Sequence, residues 1–276
     1  MIGQKRLLER INSYTIDTFP RSAIFIGDQG CGKHTLVNYI AENIIKLPVI
    51  DITDNLSNDL IDAIYRNPNP NIYIIDLNKL TEKSQNVILK FVEEPLNNSF
   101  IMLLCDNKNY ILNTVLNRCI IFEFEKYTYD ELKTFLPEIN LDKNIVINAL
   151  KTPGKLKSIN VNTLNGIVEL SLKIIDKLQL SNIGNALTIS NYINFKDEYD
   201  KFDLNIFLDI LSYLMYNRFL TTNDKVILEM YKKLAEQRKS MLDLRIDKRL
   251  MFEHLLIDLW KGVKYDSERI KINYRN

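Results

Sequence analysis

The stretch "SAIFIGDQGCGKHTLVNYI", residues 22–40, constrains the fold more than any other part of the chain. Ser22–Gly27 is an apolar run with the character of a buried strand, and from Lys33 the apolar residues recur at helical spacing. Between them stand Gly27, Gly30 and Gly32, with Lys33 directly after the last. Glycines at these positions let successive backbone N–H groups turn inward around an anion. The helix N-terminus adds the positive end of its dipole, and the lysine adds a point charge. A strand, this loop and a helix in that order predict a phosphate-binding loop. One position departs from the pattern: His34 stands where a Ser or Thr hydroxyl would hold magnesium. Magnesium prefers hard oxygen ligands in a strict octahedron, for which imidazole is a poor replacement. Thr35 does not simply substitute, because the next residue on a helix points roughly 100° further round.

The same alternation continues downstream. "LPVIDI" reads as a strand and "SNDLIDAIYRN" as a short helix opened by Ser57. "NIYIIDL" has the continuous apolar character of a central parallel strand. "TEKSQNVILKFVEE" is a helix capped by Thr81 and stopped by Pro95; "SFIMLLCDN" and "CIIFEFE" are two further strands. Strands alternating with helices of this length predict an α/β domain with a parallel sheet covered on both faces. After Glu125 the strands stop. "YTYDELKTFL", "LDKNIVINALK" and "PGKLKSIN" are three short helical segments, and from about Val161 the pattern is helical throughout. "LNIFLDILSYLMYNRFL" and "RLMFEHLLIDLWKGV" carry apolar faces too wide for a lone helix, so they predict a domain that packs on itself or on partner subunits. The expected division is 1–126 for the α/β domain, 127–162 for a small helical unit and 163–276 for a larger helical one.

Composition limits the function. The chain of 276 residues is 46% hydrophobic and 26% charged with only 8 Gly and 7 Pro, as in globular proteins without long disorder. Lys+Arg 36 against Asp+Glu 35 leaves a net charge of +1, so nucleic-acid contact would need a local patch or several subunits acting together. Three cysteines (Cys31, Cys105, Cys119) without a CxxC pair argue against a disulfide framework and a zinc module. Apolar runs fall short of a membrane span and the N-terminus lacks a signal-peptide profile, so the expected location is cytoplasmic.

Asp76 ends the strand "IYIID", where an acid would take the outer shell of magnesium. In a hydrolysing enzyme a carboxylate commonly follows to orient the attacking water. Here the next residue is Leu77, which neither accepts a proton nor holds a water. His34 and Leu77 together predict weak or absent hydrolysis by a loop that still binds nucleotide.

These residues resemble the AAA+ subunits of DNA-polymerase clamp loaders, above all the delta-prime subunit of bacterial polymerase III and its phage relatives. "IIDLNKLTEKSQNVILKFVEEPLNNSFIMLLCDN" is similar to the family's acidic strand, its "QN.LLK.LEEP" helix (here Gln85, Asn86, Leu89, Lys90, Glu93, Glu94 and Pro95) and its sensor strand. "ILNTVLNRCIIFEF" is similar to the "Ser-Arg-Cys" motif, with Asn117 for the serine and Arg118 and Cys119 kept. "IGQKRLLERI" resembles the segment over the nucleotide base, and "TPGKLKSI" the lid sensor, with Lys155 for the usual arginine. The matches come in order over roughly residues 1–160. Beyond them the likeness rests on helical character and length.

The resemblance implies an AAA+ phosphate-loop domain, a small helical lid and an all-helical collar. It implies a member of a hetero-oligomeric ring that loads a sliding clamp onto primer-template DNA, with ATP as ligand and Mg2+ uncertain. The nucleotide-binding set would be Gly27, Gly30, Gly32, Lys33, His34, Thr35, Asp76 and Lys155, with Asp76 reaching magnesium through water. Arg118 would act in trans as an arginine finger on a neighbour's phosphoryl group. The sensor position falls at Cys105 or Asp106. The alternative is an active AAA+ motor ATPase, either a homo-oligomeric clamp-loader motor or a helicase-type remodeller. The helicase-type reading would need a metal-binding hydroxyl and an acidic pair that this chain lacks, while the homo-oligomeric motor predicts DNA-stimulated hydrolysis by this chain together with its partner alone. Elsewhere, His254 reads as an ordinary helix histidine, Trp260 as core or collar interface, and "KKLAEQRKS" as a solvated helix face.

Overall fold

The structure is a computed structural model in which residues 3–67, 69–94, 99–179, 203–241 and 252–260 are described. They form two compact units, one of residues 1–132 with 152–154 and a second of the remainder. The chain thus leaves the first unit after Leu132 and returns to it for Thr152–Gly154. Residues 133–151 and the long helices fall in the second unit together. Among the described residues no helix is long and apolar enough to cross a membrane.

The first unit is built on a five-stranded parallel sheet in the order β2-β3-β4-β1-β5, with β1 Ser22–Ile26, β2 Val49–Asp51, β3 Ile72–Asp76, β4 Phe100–Cys105 and β5 Ile120–Glu123. Side chains alternate across β1. Ala23 and Phe25 pack with Leu36, Val37 and Ile40 of α2 (Lys33–Ile40) and with Leu7 and Ile11 of α1 (Lys5–Asn12). Ile24 and Ile26 face the other way, onto Ile61 of α3 (Asn58–Tyr65) and Ile88 and Phe91 of α4 (Glu82–Glu93). Because both faces are covered, the central strands are apolar without interruption, which is why they were legible as runs. The caps are as expected: Ser57 Oγ accepts from Leu60 N, and Thr81 Oγ1 from Ser84 N. Pro95 lies outside the described residues.

One element departs from expectation. Helical spacing runs from Lys33 to Ile45 in the sequence, but the last turn, Ala41–Ile45, opens to π geometry, with Lys46 N bonded to Ala41 O at 2.8 Å. The wider turn holds both Ala41 and Ile45 in the core before Lys46 ends it at φ 57°.

Three short helices, α6 Tyr129–Lys133, α7 Lys143–Leu150 and α8 Pro153–Lys157, follow β5 and the brief α5 (Asn113–Leu116). The second unit then centres on α10 (Leu204–Thr222), which packs on α7, on α9 (Val161–Gln179) and on α11 (Lys225–Met241). Ile206–Leu211 is buried on every side of α10, so the first half of its wide apolar face is absorbed within the unit, while Tyr216 and Leu220 further on are exposed. Phe207 meets Phe252 of α12 (residues 252–260) edge to face at 5.6 Å. "KKLAEQRKS" is more than a solvated face. Its Leu234 is buried and its Arg238 pairs with the buried Asp209, because a segment seated against α10 must turn part of its surface inward.

Candidate functional site

Parallel pairing of β1 with β4 and of β4 with β3 brings Ile26, Cys105 and Asp76 to the same sheet end, where the glycine-rich loop begins. Gly27 N bonds Cys105 O at 3.1 Å, anchoring the loop to the sheet. A Cβ on Gly27 would lie 2.7 Å from Phe124 Cβ and 2.8 Å from Cys31 Sγ, so only glycine fits. Gly30 and Gly32 have φ of 82° and 104°, and Gly32 is the N-cap of α2. Gly32 contributes no capping side chain, and the first amides of a helix have no partner within it, so the turn keeps the character of an anion cradle.

Lys33 is nearly buried at 8% exposure, and its ammonium is fully engaged. It donates to Gly27 O at 2.5 Å, Asp28 O at 3.3 Å and Asp106 Oδ1 at 2.7 Å. Cys105 and Asp106 make different contacts. Cys105 is buried with Sγ directed to Asn107 O at 3.1 Å, and it is Asp106 that reaches the lysine. Burial raises the Cys105 thiol above its usual range and drives that of Cys31 up to about 11, Lys33 only partly offsetting the latter. Both are therefore neutral, unreactive thiols near pH 7.

A polar relay continues from Asp106 along the strand ends. Its N–H donates to Asn78 Oδ1 at 2.9 Å, and Asn78 in turn donates through N and Nδ2 to Asp76 Oδ1 at 3.0 and 2.7 Å. Asp76 N donates to Thr53 Oγ1, whose own hydroxyl donates to Asp51 Oδ1 at 2.6 Å. Partial burial would raise the Asp51 carboxyl, but the two Thr53 hydrogen bonds outweigh it, and His34 and Lys79 add to them, leaving it below the usual range. His34 and Thr35 are both exposed on the first turn of α2. Leu77, the residue after Asp76, is 1% exposed and packs in the apolar cluster with Ile75 and Ile88. The chain offers no carboxylate there to orient a water. Among the described residues no group of three or more His, Cys, Asp or Glu is placed to hold a metal.

Arg118 follows α5; its Nε meets Glu93 Oε1 at 2.6 Å and it donates to Thr114 O at 2.7 Å, with over a third of the side chain exposed. Lys155 is in the second unit, where its ammonium meets Asp209 Oδ2 at 2.6 Å. His254 faces Asp258 one helical turn on, at 3.3 Å, and Trp260 is half-buried. Asn78 and Thr53 escaped assignment from sequence. The local signal for Asn78 was an Asx-type turn directly after a strand-end acid.

Comparison with known proteins accords with this geometry. Residues 49–128 match the family model described as DNA polymerase III, delta subunit. Over 105 residues the chain is 29% identical to DNA polymerase III subunit delta' of Buchnera aphidicola subsp. Baizongia pistaciae, covering 38% of this chain and 31% of that one. It is 22% identical over 270 residues to DNA polymerase III subunit gamma of Buchnera aphidicola subsp. Acyrthosiphon pisum, covering 85% of this chain and 71% of that one. The match thus spans about a third of the first relative's length. Among solved structures, a DNA polymerase III gamma subunit-related protein of Thermotoga maritima shares the fold at TM-score 0.53 and 13% identity, covering 94% of this chain and all of that one.

Proposed function

We propose that this chain, an AAA+ relative of the DNA-polymerase clamp-loader subunits, is a delta-prime-like member of a clamp-loader ring. It binds nucleotide with little turnover of its own and supports hydrolysis at a neighbouring subunit. One observation carries this reading: the glycine cradle and Lys33 are retained while Leu77, after Asp76, is turned into the core. A nucleotide would be held through the amides around Gly30 and Gly32 and through Lys33. Bound ATP supplies the phosphoanhydride whose hydrolysis the ring uses. With His34 at the metal-hydroxyl position and no carboxylate after Asp76, this chain neither fixes magnesium firmly nor orients water.

Arg118 fits the trans role because it is partly exposed and held by a carboxylate it can exchange for a phosphoryl oxygen, both being bidentate acceptors for guanidinium. Lys155 would serve as a lid sensor only after giving up Asp209. The lid over 127–162, the collar over 163–276 and partners comprising other loader subunits, a sliding clamp and primed DNA belong to the same proposal.

The test has two parts. The isolated chain should bind ADP and ATP yet release no phosphate above background. In a ring reconstituted with its partner subunits, Arg118→Ala should depress DNA-stimulated ATPase more than Lys33→Ala. Rapid turnover by the chain alone, or equal or reversed losses in the ring, would refute it.

A further inference from the structure

Three consecutive carbonyls of the phosphate loop are each held by a donor about a hundred residues or more away in sequence. Thr152 Oγ1 donates to Gln29 O at 2.9 Å, Gly154 N to Gly30 O at 2.8 Å, and Tyr127 OH to Cys31 O at 2.7 Å. All six residues belong to the first unit, Thr152 and Gly154 through the three-residue return of the chain. Thr152 is 3% exposed, so its hydroxyl is committed to this bond. Gly154 sits in the first turn of α8, where an amide lacks a helical partner, and Pro153 before it has no N–H to compete. Contact at this point is tight: a Cβ on Gly154 would stand 2.7 Å from Gly30 Cα and 2.8 Å from Gly30 O.

The geometric consequence follows from the planar trans peptide, in which the carbonyl of one residue and the N–H of the next point in opposite directions. Fixing the carbonyls of Gln29, Gly30 and Cys31 therefore fixes the N–H vectors of Gly30, Cys31 and Gly32 on the side away from the clip. The Cys31 amide closes a turn onto Asp28 O at 3.0 Å, and those of Gly30 and Gly32 remain for a ligand. A glycine-rich segment is otherwise the most freely rotating backbone in the chain.

We propose that Thr152, Gly154 and Tyr127 are positioning residues that clip the loop's carbonyls outward and so preset its amides for an anionic phosphate group. The ligand class rests on the reading of the loop as a nucleotide cradle, but the clip can be tested without it. In the full chain, the double variant Thr152→Val with Tyr127→Phe removes two donors while keeping both shapes. Hydrogen exchange of the Cys31 and Gly154 amides, which the clipped loop keeps bonded, should then accelerate about tenfold or more, as expected for losing hydrogen bonds of ordinary strength. ADP affinity should fall by a similar factor, and Thr152→Ser paired with Tyr127→Phe should recover part of both. The urea midpoint serves as control and should fall only by the stability these two hydrogen bonds supply, since the sheet core is untouched. Unchanged loop exchange in the double variant overturns the clip, even if wild type binds no ADP and the nucleotide reading fails with it. Faster exchange with unchanged ADP affinity overturns its role in binding.

Discussion

The Lys33 ammonium has three protons, and three protein oxygens already receive them. A phosphate oxygen must displace one, and Asp106 is the acceptor that sits on a side chain free to swing away. Asp106→Asn replaces a bond between two charged groups by one in which only the ammonium is charged, so Lys33 becomes easier to recruit by about 1 kcal/mol. Removing the carboxylate also removes its repulsion of the phosphate. At roughly 5 Å and an effective dielectric constant of about 20 that repulsion is about 3 kcal/mol per unit charge before screening. Because Asp106 is about a third exposed, at most half of it is retained in salt. Together these give a gain in ADP affinity on the order of 10- to 100-fold. Isothermal titration of wild type and Asp106→Asn with ADP, at low and high salt, reads the effect, and the gain should shrink as salt rises. If Asp106→Asn binds ADP no tighter than wild type, the reasoning fails. A loss of affinity would make Asp106 a helper of the site and not a competitor within it.

Two other predictions concern stability. Asp209 is buried at 8% exposure and pairs with both Lys155 and Arg238, so Asp209→Ala leaves two cations facing a partly dry site. It should cost about 2–4 kcal/mol, seen as a lowered urea midpoint; a loss below about 1 kcal/mol would mean that water replaces the carboxylate freely. Alkaline pH should also destabilise the fold. Burial raises the Cys31 thiol to about 11, the Cys119 thiol to about 12 and the Tyr127 phenol to about 12, from 9.0, 9.0 and 10.0. Groups raised in the folded state contribute stability that is fully present below pH 9 and is lost as pH rises through 9–12. Urea midpoints between pH 8 and 11 should therefore fall steadily above 9, and a flat profile would contradict the burial of these groups.

What the sequence disclosed depended on how local the cause was. Ser57 and Thr81 were readable as caps because a cap's partner lies three residues on. The three central strands were readable because burial on both faces writes itself as an unbroken apolar run. Leu77 was readable as an apolar residue directly after the strand-end Asp76, and its burial gives it a structural use. Thr152 and Tyr127 were not readable. A hydroxyl in a loop says nothing about which carbonyl it will meet a hundred residues away, and that choice is made by the packing of the sheet. The same limit left Cys105 and Asp106 undecided. Side chains of adjacent strand residues leave on opposite faces, so a shift of one residue in register exchanges their roles. Pairing of Ile26 with Cys105 turns the thiol inward and sends the carboxylate to Lys33 at 2.7 Å. Whether this loop welcomes or resists phosphate is thus set by β4 register, one step removed from any motif.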